Sequence, residues 1–111
     1  MPVQPYDVAV VGGGPAGLCA ALWPARYLHK VVVVDSGEPS NWETRGINGY
    51  LGHQGIRSPE LRAIGRAECA KYGVEFVSGI ADEAINETGE LFAICLRGGT
   101  VIQAQRILLA I

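Results

Sequence analysis

The sequence contains little charge, and charge of neither sign is concentrated. Charged residues make up 18% of the 111 residues, and 9 Lys and Arg against 11 Asp and Glu leave a formal net charge of −2. No segment gathers enough Lys or Arg to neutralise a phosphate backbone, so we expect no nucleic-acid partner. The chain also lacks an apolar run long enough to cross a bilayer, and it lacks a signal peptide. We therefore expect no membrane association and a cytoplasmic location.

Cysteine is scarce and unpaired in the sequence. The three cysteines, Cys19, Cys69 and Cys95, form no CxxC motif and have no metal-ligand spacing with the two histidines. We expect no metal site and no redox disulfide within this chain, and we interpret the cysteines as small buried side chains in a reducing compartment. The sequence shows no nucleophile–base arrangement, so we assign no catalytic residue.

Glycine, in contrast, is abundant and clustered. The 15 glycines are about twice the usual share, and a GxGxxG pattern begins directly after an apolar run at residues 7–11. Residues 15 to about 28 carry the small side chains of a helix packed closely on a sheet, although Pro24 predicts a kink or an early end. The valine-rich run 31–35 predicts a second buried strand. The predicted cofactor-binding residues of this βαβ unit are Gly12, Gly13, Gly14, Pro15, Ala16, Gly17 and Asp35.

The spacing of these residues is typical of a dinucleotide-binding turn. Asp35 lies 18 positions after Gly17, close to the offset of about 20 in such sites. Gly12 would make the tight turn and Gly14 would let the backbone approach a pyrophosphate, while Gly17 would let the helix lie against the strand. The helix N-terminus would attract the phosphates. The Asp35 carboxylate would accept hydrogen bonds from the ribose and repel a 2′-phosphate, which argues against NADP. NAD and FAD share the pattern, so it leaves both open.

A long loop separates this unit from the next helix. Residues 36–57 contain the Gly, Pro, Asn and Ser typical of a loop, and loops of that length inside a domain are usually functional. A helix is predicted over 58–72, with Ser58 as its N-cap and Gly73 as its left-handed C-cap. Residues 74–78 then predict a third parallel strand.

The last third of the chain favours FAD over NAD. Short strands at 83–86, 91–96 and 100–104 are separated by turn signals and predict a three-stranded antiparallel meander. A final buried strand is predicted at 106–111. The usual NAD-dependent dehydrogenases continue with further βα units where this chain has a meander.

These features resemble the N-terminal FAD segment of the thioredoxin-reductase-like flavoproteins, within the pyridine nucleotide–disulfide oxidoreductases. The resemblance spans nearly the whole chain. The matching segments are residues 7–18, 20–22, 31–37, 58–61, 72–76 and 106–110.

The resemblance implies roles for further residues. Asp35, with Ser36 beside it, would hold the adenosine ribose, and the backbone around Ile80 would meet the adenine edge. Asn41 and residues up to Gly52 would lie along the ribityl chain and the flavin ring, although Asn41 is also a common turn residue. In the family, the strand that ends here at Ala110 leads into a turn that contacts the cofactor.

The resemblance also implies a fold and an activity. We expect an α/β, Rossmann-like FAD-binding domain with a central parallel sheet and an antiparallel meander, forming a single partial domain over residues 1–111 that is incomplete at the C-terminus. A family member passes hydride from NADPH to FAD and electrons onward to a disulfide or another small acceptor. The NAD(P)H domain and its CxxC motif are missing from this chain, so NAD(P)H would act through a partner chain.

Two other functions remain open from the sequence. The first is a non-catalytic module that holds FAD or another ADP-containing ligand for a partner, and the second is an NAD-binding Rossmann fragment. For any of these functions, we expect strand 106–111 to be an unpaired edge. Such an edge favours a homo-oligomer or a complex with a partner subunit.

Overall fold

A mixed six-stranded sheet organises the part of the chain that the structure describes. The computed structural model describes residues 5–37, 52 and 56–110. The strands have the spatial order β3-β2-β1-β6-β5-β4, and β1, β2, β3 and β6 are parallel to their neighbours in that group. In chain order the elements are β1 (Tyr6–Val11), α1 (Pro15–Arg26), β2 (Val31–Asp35), α2 (Ser58–Lys71), β3 (Glu75–Ser78), β4 (Ala81–Thr88), β5 (Leu91–Leu96) and β6 (Val101–Leu109).

Strand β2 lies at the centre of the core and is buried on both faces. Val31 and Val33 pack in the cluster formed with the two helices. Val32 and Val34 point to the opposite face, where they pack against residues of β5 and β6. The uninterrupted β-branched run suits this position because alternate side chains of a strand face opposite layers.

Strand β6 belongs to both parts of the sheet. Its first residues, from Val101 to Ala104, pair antiparallel with β5, and the residues from Ala104 onward pair parallel with β1. The prediction of separate strands at 100–104 and 106–111 is therefore wrong, because no turn residue interrupts the chain between them. The prediction of an unpaired edge at 106–111 holds on one side: β6 lies between β1 and β5, but Arg106 to Leu109 pair only with β1, and their other side has no partner among the described strands.

The two edge strands of the sheet, β3 and β4, are consecutive in the chain. Only Gly79 and Ile80 connect them, so the sheet has to curl until its two edges are close enough for two residues to join them. The Arg97 N–H donates to the Ile80 carbonyl at 2.8 Å, and Leu96 packs against Gly79. The meander therefore covers the face of the parallel strands that the helices leave open.

The helix boundaries differ slightly from the predicted ones. Helix α1 includes Pro24 and ends two residues later, at Arg26, close to the predicted early end. Helix α2 has Arg57 rather than Ser58 as its N-cap residue. Gly73 follows α2 with a φ of 82°, so the predicted left-handed C-cap is confirmed. Neither helix in the described ranges is long and apolar enough to cross a membrane.

The cysteines have three different environments. Cys69 is buried, Cys95 is partly buried and Cys19 is exposed, and all three are free thiols. The predicted burial is confirmed for Cys69 and is wrong for Cys19, because Cys19 lines the open cleft between the two helices.

Helix α1 approaches the end of β1 very closely. A Cβ atom built on Gly17 would lie 1.8 Å from the Gly12 carbonyl oxygen, a distance that no side chain can adopt. Gly12 itself has a φ of 120°, which favours glycine because other residues are strained there. The predicted tight turn at Gly12 and close packing at Gly17 are both present.

This close approach predicts that Gly17→Ala will destabilise the fold severely. The added methyl group forces α1 away from β1, and overpacking of this kind costs about 3 kcal/mol or more. Gly14→Ala is the matched control, because a Cβ at Gly14 meets nothing within 4 Å and should cost about 1 kcal/mol or less as a weaker N-cap. Urea denaturation measures both free energies of unfolding. Equal values for the two variants would contradict the close packing.

A second prediction concerns Tyr6. Burial and a side-chain hydrogen bond with Glu75 raise the pKa of the Tyr6 hydroxyl from 10.0 to about 12. The folded state therefore holds this proton more tightly than the unfolded chain, and the resulting stability is present below pH 10 and is lost as the pH rises toward 12. We expect wild type to be more stable than Tyr6→Phe below pH 10, with a difference that shrinks above it. Denaturation midpoints across this range measure the difference, and one that does not change with pH would refute the prediction.

Candidate functional site

The carboxyl ends of the parallel strands meet at one edge of the sheet. The chain leaves β1 at Val11 to reach β2 on one side, while β6 pairs with β1 on the other. The turn after β1 therefore lies at the switch point of the sheet, where open α/β sheets bind their ligands. The residues that directly follow β1, β2, β3 and β6 therefore lie at this edge.

The glycine turn brings a helix N-terminus to this edge. The Gly12 N–H donates to the Val34 carbonyl at 2.9 Å, which holds the turn against β2. Gly14 is the N-cap residue of α1 and Pro15 begins the helix, but among the described residues no side chain caps this end and its first turn holds no acid. The N–H groups of Ala16 and Gly17 therefore remain available to an anion.

Asp35 lies at the end of β2, directly against the glycine turn. It is 8% exposed, and its Oδ1 accepts a hydrogen bond from the Gly37 N–H at 3.0 Å. A Cβ on Gly13 would lie 2.5 Å from Asp35 Oδ2, so only glycine at position 13 lets the carboxylate lie this close to the turn. Gly13 thus has a structural task that the sequence pattern did not reveal.

Two arginines of α2 pair with Asp35, and sequence reasoning missed both. Arg62 Nη2 donates to Asp35 Oδ2 at 2.6 Å, and Arg66 Nη1 donates to the same oxygen at 3.4 Å. Arg62 Nε also donates to the Gly13 carbonyl at 3.3 Å, while the Arg66 guanidinium lies 4.2 Å above the Phe76 ring. Their four-residue spacing places both on one face of α2, but the sequence does not show which carboxylate that face meets.

These guanidinium groups change the expected discrimination against NADP. The sequence argument considered the Asp35 carboxylate alone as the group that meets a 2′-phosphate. In the structure two cations face that one carboxylate, so its negative charge is compensated. The repulsion of a 2′-phosphate by Asp35 is therefore no longer a reason to exclude NADP.

Of the remaining predicted site residues, one lies against the glycine turn. This residue is Ala110, whose N–H donates to the Val11 carbonyl at 2.8 Å and whose Cβ lies 3.5 Å from a Cβ built on Gly17. Ser36 is exposed beside Asp35. Ile80 lies two residues after the end of β3 and is 40% exposed. Gly52 is exposed with a φ of 82°, and Asn41 lies outside the described residues.

A cleft between α1 and α2 lies next to the glycine turn. It has a volume of about 130 Å³, and Leu18, Leu61 and Cys69 are among its lining residues. The Cys69 thiol donates to the Leu18 carbonyl at 3.3 Å, and burial, with smaller contributions from Glu68 and Cys19, raises the pKa of that thiol. A thiol that stays protonated at neutral pH is a poor nucleophile, so Cys69 has a packing role.

The edge of the sheet fits the ADP half of a dinucleotide. An uncapped helix N-terminus suits a pyrophosphate, the open space at Gly14 lets a ligand approach the backbone, and the Asp35 carboxylate, against the same turn, is suited to accept hydrogen bonds from a ribose. Within the ranges the structure describes, no group of three or more His, Cys, Asp or Glu side chains could hold a metal ion. The described groups at this edge are thus suited to bind a cofactor.

Comparisons with known proteins match this chain to a family of FAD dependent oxidoreductases and to several reductases. The family model for FAD dependent oxidoreductases matches residues 7–108. The chain is 30% identical over 108 residues to the alkyl hydroperoxide reductase F protein of Staphylococcus aureus, covering 96% of this chain and 21% of that protein. It is 28% identical over 107 residues to thioredoxin reductase of Bacillus subtilis, covering 95% of this chain and 33% of the other.

Solved structures agree with the sequence relatives. The crystal structure of a putative thioredoxin reductase TrxB from Bacillus anthracis superposes with a TM-score of 0.89 at 32% identity, covering 94% of this chain and 35% of that one. The chain thus spans a fifth to about a third of the length of these proteins. The Rossmann-like fold and the FAD assignment are confirmed. The chain belongs to the FAD-dependent oxidoreductase family, and it forms an FAD-binding domain of the thioredoxin reductase type.

Proposed function

We propose that this chain binds FAD through its ADP half and serves a thioredoxin-reductase-like oxidoreductase as the cradle for that cofactor. One observation carries the proposal: the ribose acceptor Asp35 lies against the same glycine turn that presents an uncapped helix N-terminus. The group proposed to bind the ribose and the groups proposed to bind the pyrophosphate therefore lie next to each other. Bound FAD would supply the electron chemistry, and the chain would supply binding and orientation.

The roles of individual residues are part of the proposal. Gly12 and Gly17 shape the turn, and the backbone at Gly14, Ala16 and Gly17 meets the pyrophosphate. Pro15 presets the first helical residue and has no N–H to leave unsatisfied. Asp35 accepts the ribose.

Residues farther from the glycine turn complete the proposed site. Ser36 lies beside the ribose, and Ile80 meets the adenine through its backbone. Ala110 lies beside the glycine turn, and Asn41 and Gly52 flank the flavin end. The Ile80 carbonyl already accepts the Arg97 N–H, so adenine would use the Ile80 N–H or the second lone pair of that oxygen.

A second candidate is a non-catalytic module that binds FAD or another ADP nucleotide for a partner. It is supported by the finding that every polar group described at the sheet edge is suited to binding, while Cys69 is protonated and buried. In both cases NAD(P)H would act through another domain or a partner chain. The NAD-binding fragment is disfavoured, because the meander and the family both point to FAD. A single domain and a cytoplasmic location remain predictions that rest on length and composition.

Cofactor binding and turnover are tested together on the purified chain. We expect FAD to bind, with quenching of flavin fluorescence, and we expect Asp35→Asn to weaken that binding by about tenfold or more, the value of one hydrogen bond to a charged acceptor. Anaerobic NADPH then shows by flavin absorbance whether the chain alone accepts hydride: bleaching supports an oxidoreductase that acts by itself, and flavin that stays oxidised supports a chain that needs another domain or a partner for NAD(P)H. A chain that refuses FAD but binds NAD would overturn the cofactor assignment.

We also propose that the chain associates with a second copy or a partner subunit. The residues of β6 from Arg106 to Leu109 pair with β1 and with no other described strand, and this open side of the strand supports the proposal. Exposed leucines at the end of β6 also support it, since Leu108 is 45% and Leu109 is 67% exposed and apolar surface of this kind favours association. Sedimentation velocity at micromolar concentration should show a dimer or larger species, and Leu109→Gln should shift it toward monomer. A monomer in wild type would exclude self-association.

A further inference from the structure

The Asp35 carboxylate is already engaged on one of its two oxygens. Oδ2 accepts from Arg62 at 2.6 Å and from Arg66 at 3.4 Å, and these two donors fill its acceptor capacity. Oδ1 accepts from the Gly37 N–H, and because a carboxylate oxygen has two acceptor sites this one hydrogen bond does not fill it. A ribose hydroxyl would therefore meet Oδ1, and the orientation of the carboxylate decides whether that oxygen faces the ligand.

Arg62 is the residue that controls this orientation. Its side chain is 13% exposed and the Asp35 side chain 11% exposed, so water competes little for their hydrogen bond. Its second donor, Nε, bonds the Gly13 carbonyl at 3.3 Å. One planar guanidinium thus connects α2 to both parts of the proposed ADP site, the acid at the end of β2 and the turn after β1.

Arg66 contacts the same carboxylate oxygen but is less suited to orient Asp35. Its contact is longer, at 3.4 Å, and its side chain is 39% exposed. The Phe76 ring lies 4.2 Å beneath its guanidinium, so part of its interaction is with that ring. The structure gives it no bond to the glycine turn among the contacts described.

We propose that Arg62 is a positioning residue for the adenosine ribose. Arg62 holds Asp35 so that Oδ1 faces the ribose, and it keeps the glycine turn in a fixed position relative to Asp35. Arg62 acts through Asp35 and Gly13 rather than by touching the reacting part of a cofactor. The proposal rests on the proposed ADP-half site and adds to it the residue that makes Asp35 selective.

The test measures selectivity for the ribose 2′-hydroxyl rather than affinity alone. The purified full chain is titrated with ADP and with 2′-deoxy-ADP, and the ratio of the two dissociation constants reports the hydrogen bond that Asp35 accepts. Wild type should prefer ADP by about tenfold or more, and Asp35→Asn should lose that preference. A general loosening of the fold weakens both ligands equally and leaves the ratio unchanged, so the ratio separates positioning from stability.

Three arginine variants then assign the effect. Arg62→Gln should remove most of the preference, while Arg66→Gln should keep most of it and Arg26→Gln, on the far end of α1, should keep all of it. Arg62→Lys retains the charge but cannot reach Asp35 and Gly13 together, so it should show an intermediate preference. It also keeps the test decisive if Arg62→Gln does not fold.

The outcomes distinguish the positioning role of Arg62 from the proposed ADP-half site on which it rests. A wild-type chain that binds neither FAD nor ADP overturns the ADP-half site, and the positioning role with it. A wild-type chain that binds both ligands and prefers ADP, together with an Arg62→Gln or Arg62→Lys variant that keeps the full preference, overturns the positioning role alone. Equal losses in the Arg62 and Arg66 variants would also overturn it, because they would show that positive charge matters and that orientation does not.

Discussion

The close approach of α1 to the end of β1 is the constraint on which the site depends. The Gly12 carbonyl occupies the space that any side chain at position 17 would need, so the first turn of the helix can lie directly above the strand. Its first N–H groups, which no described side chain caps, then lie at the edge of the sheet. Pro15 and the left-handed Gly12 support the same geometry, since both restrict the chain to the path that this approach requires.

A second constraint comes from the connection between β3 and β4. Because only Gly79 and Ile80 join the two edge strands, the meander must fold back over the parallel strands. The fold-back buries Val32 and Val34 on the face that the helices do not cover. It also brings the Arg97 N–H to the Ile80 carbonyl, beside the predicted adenine position. The curvature of the sheet that buries these valines therefore also determines the backbone contacts beside the predicted adenine position.

Local features of the fold could be predicted from the sequence because they depend on neighbouring residues. The strand–turn–helix over the first glycines, the valine strand and the Gly73 cap follow from side-chain pattern and backbone preference. The single path of β6 could not be predicted in this way. Residues 100–104 and 106–111 look like two strands to a period-two pattern, and only pairing with β5 and then β1 makes them one.

The sequence by itself determined the chemistry of the cofactor site: a glycine turn, a helix N-terminus and an acid at the end of the next strand have the spacing that an ADP group requires. Only the tertiary structure decided how that acid is held. Arg62 is 27 residues from Asp35 and 49 from Gly13 in the chain, and neither distance carries a local signal. Packing α2 against α1 brings these groups together, because a helix face acquires its partners only when the layers of the fold assemble.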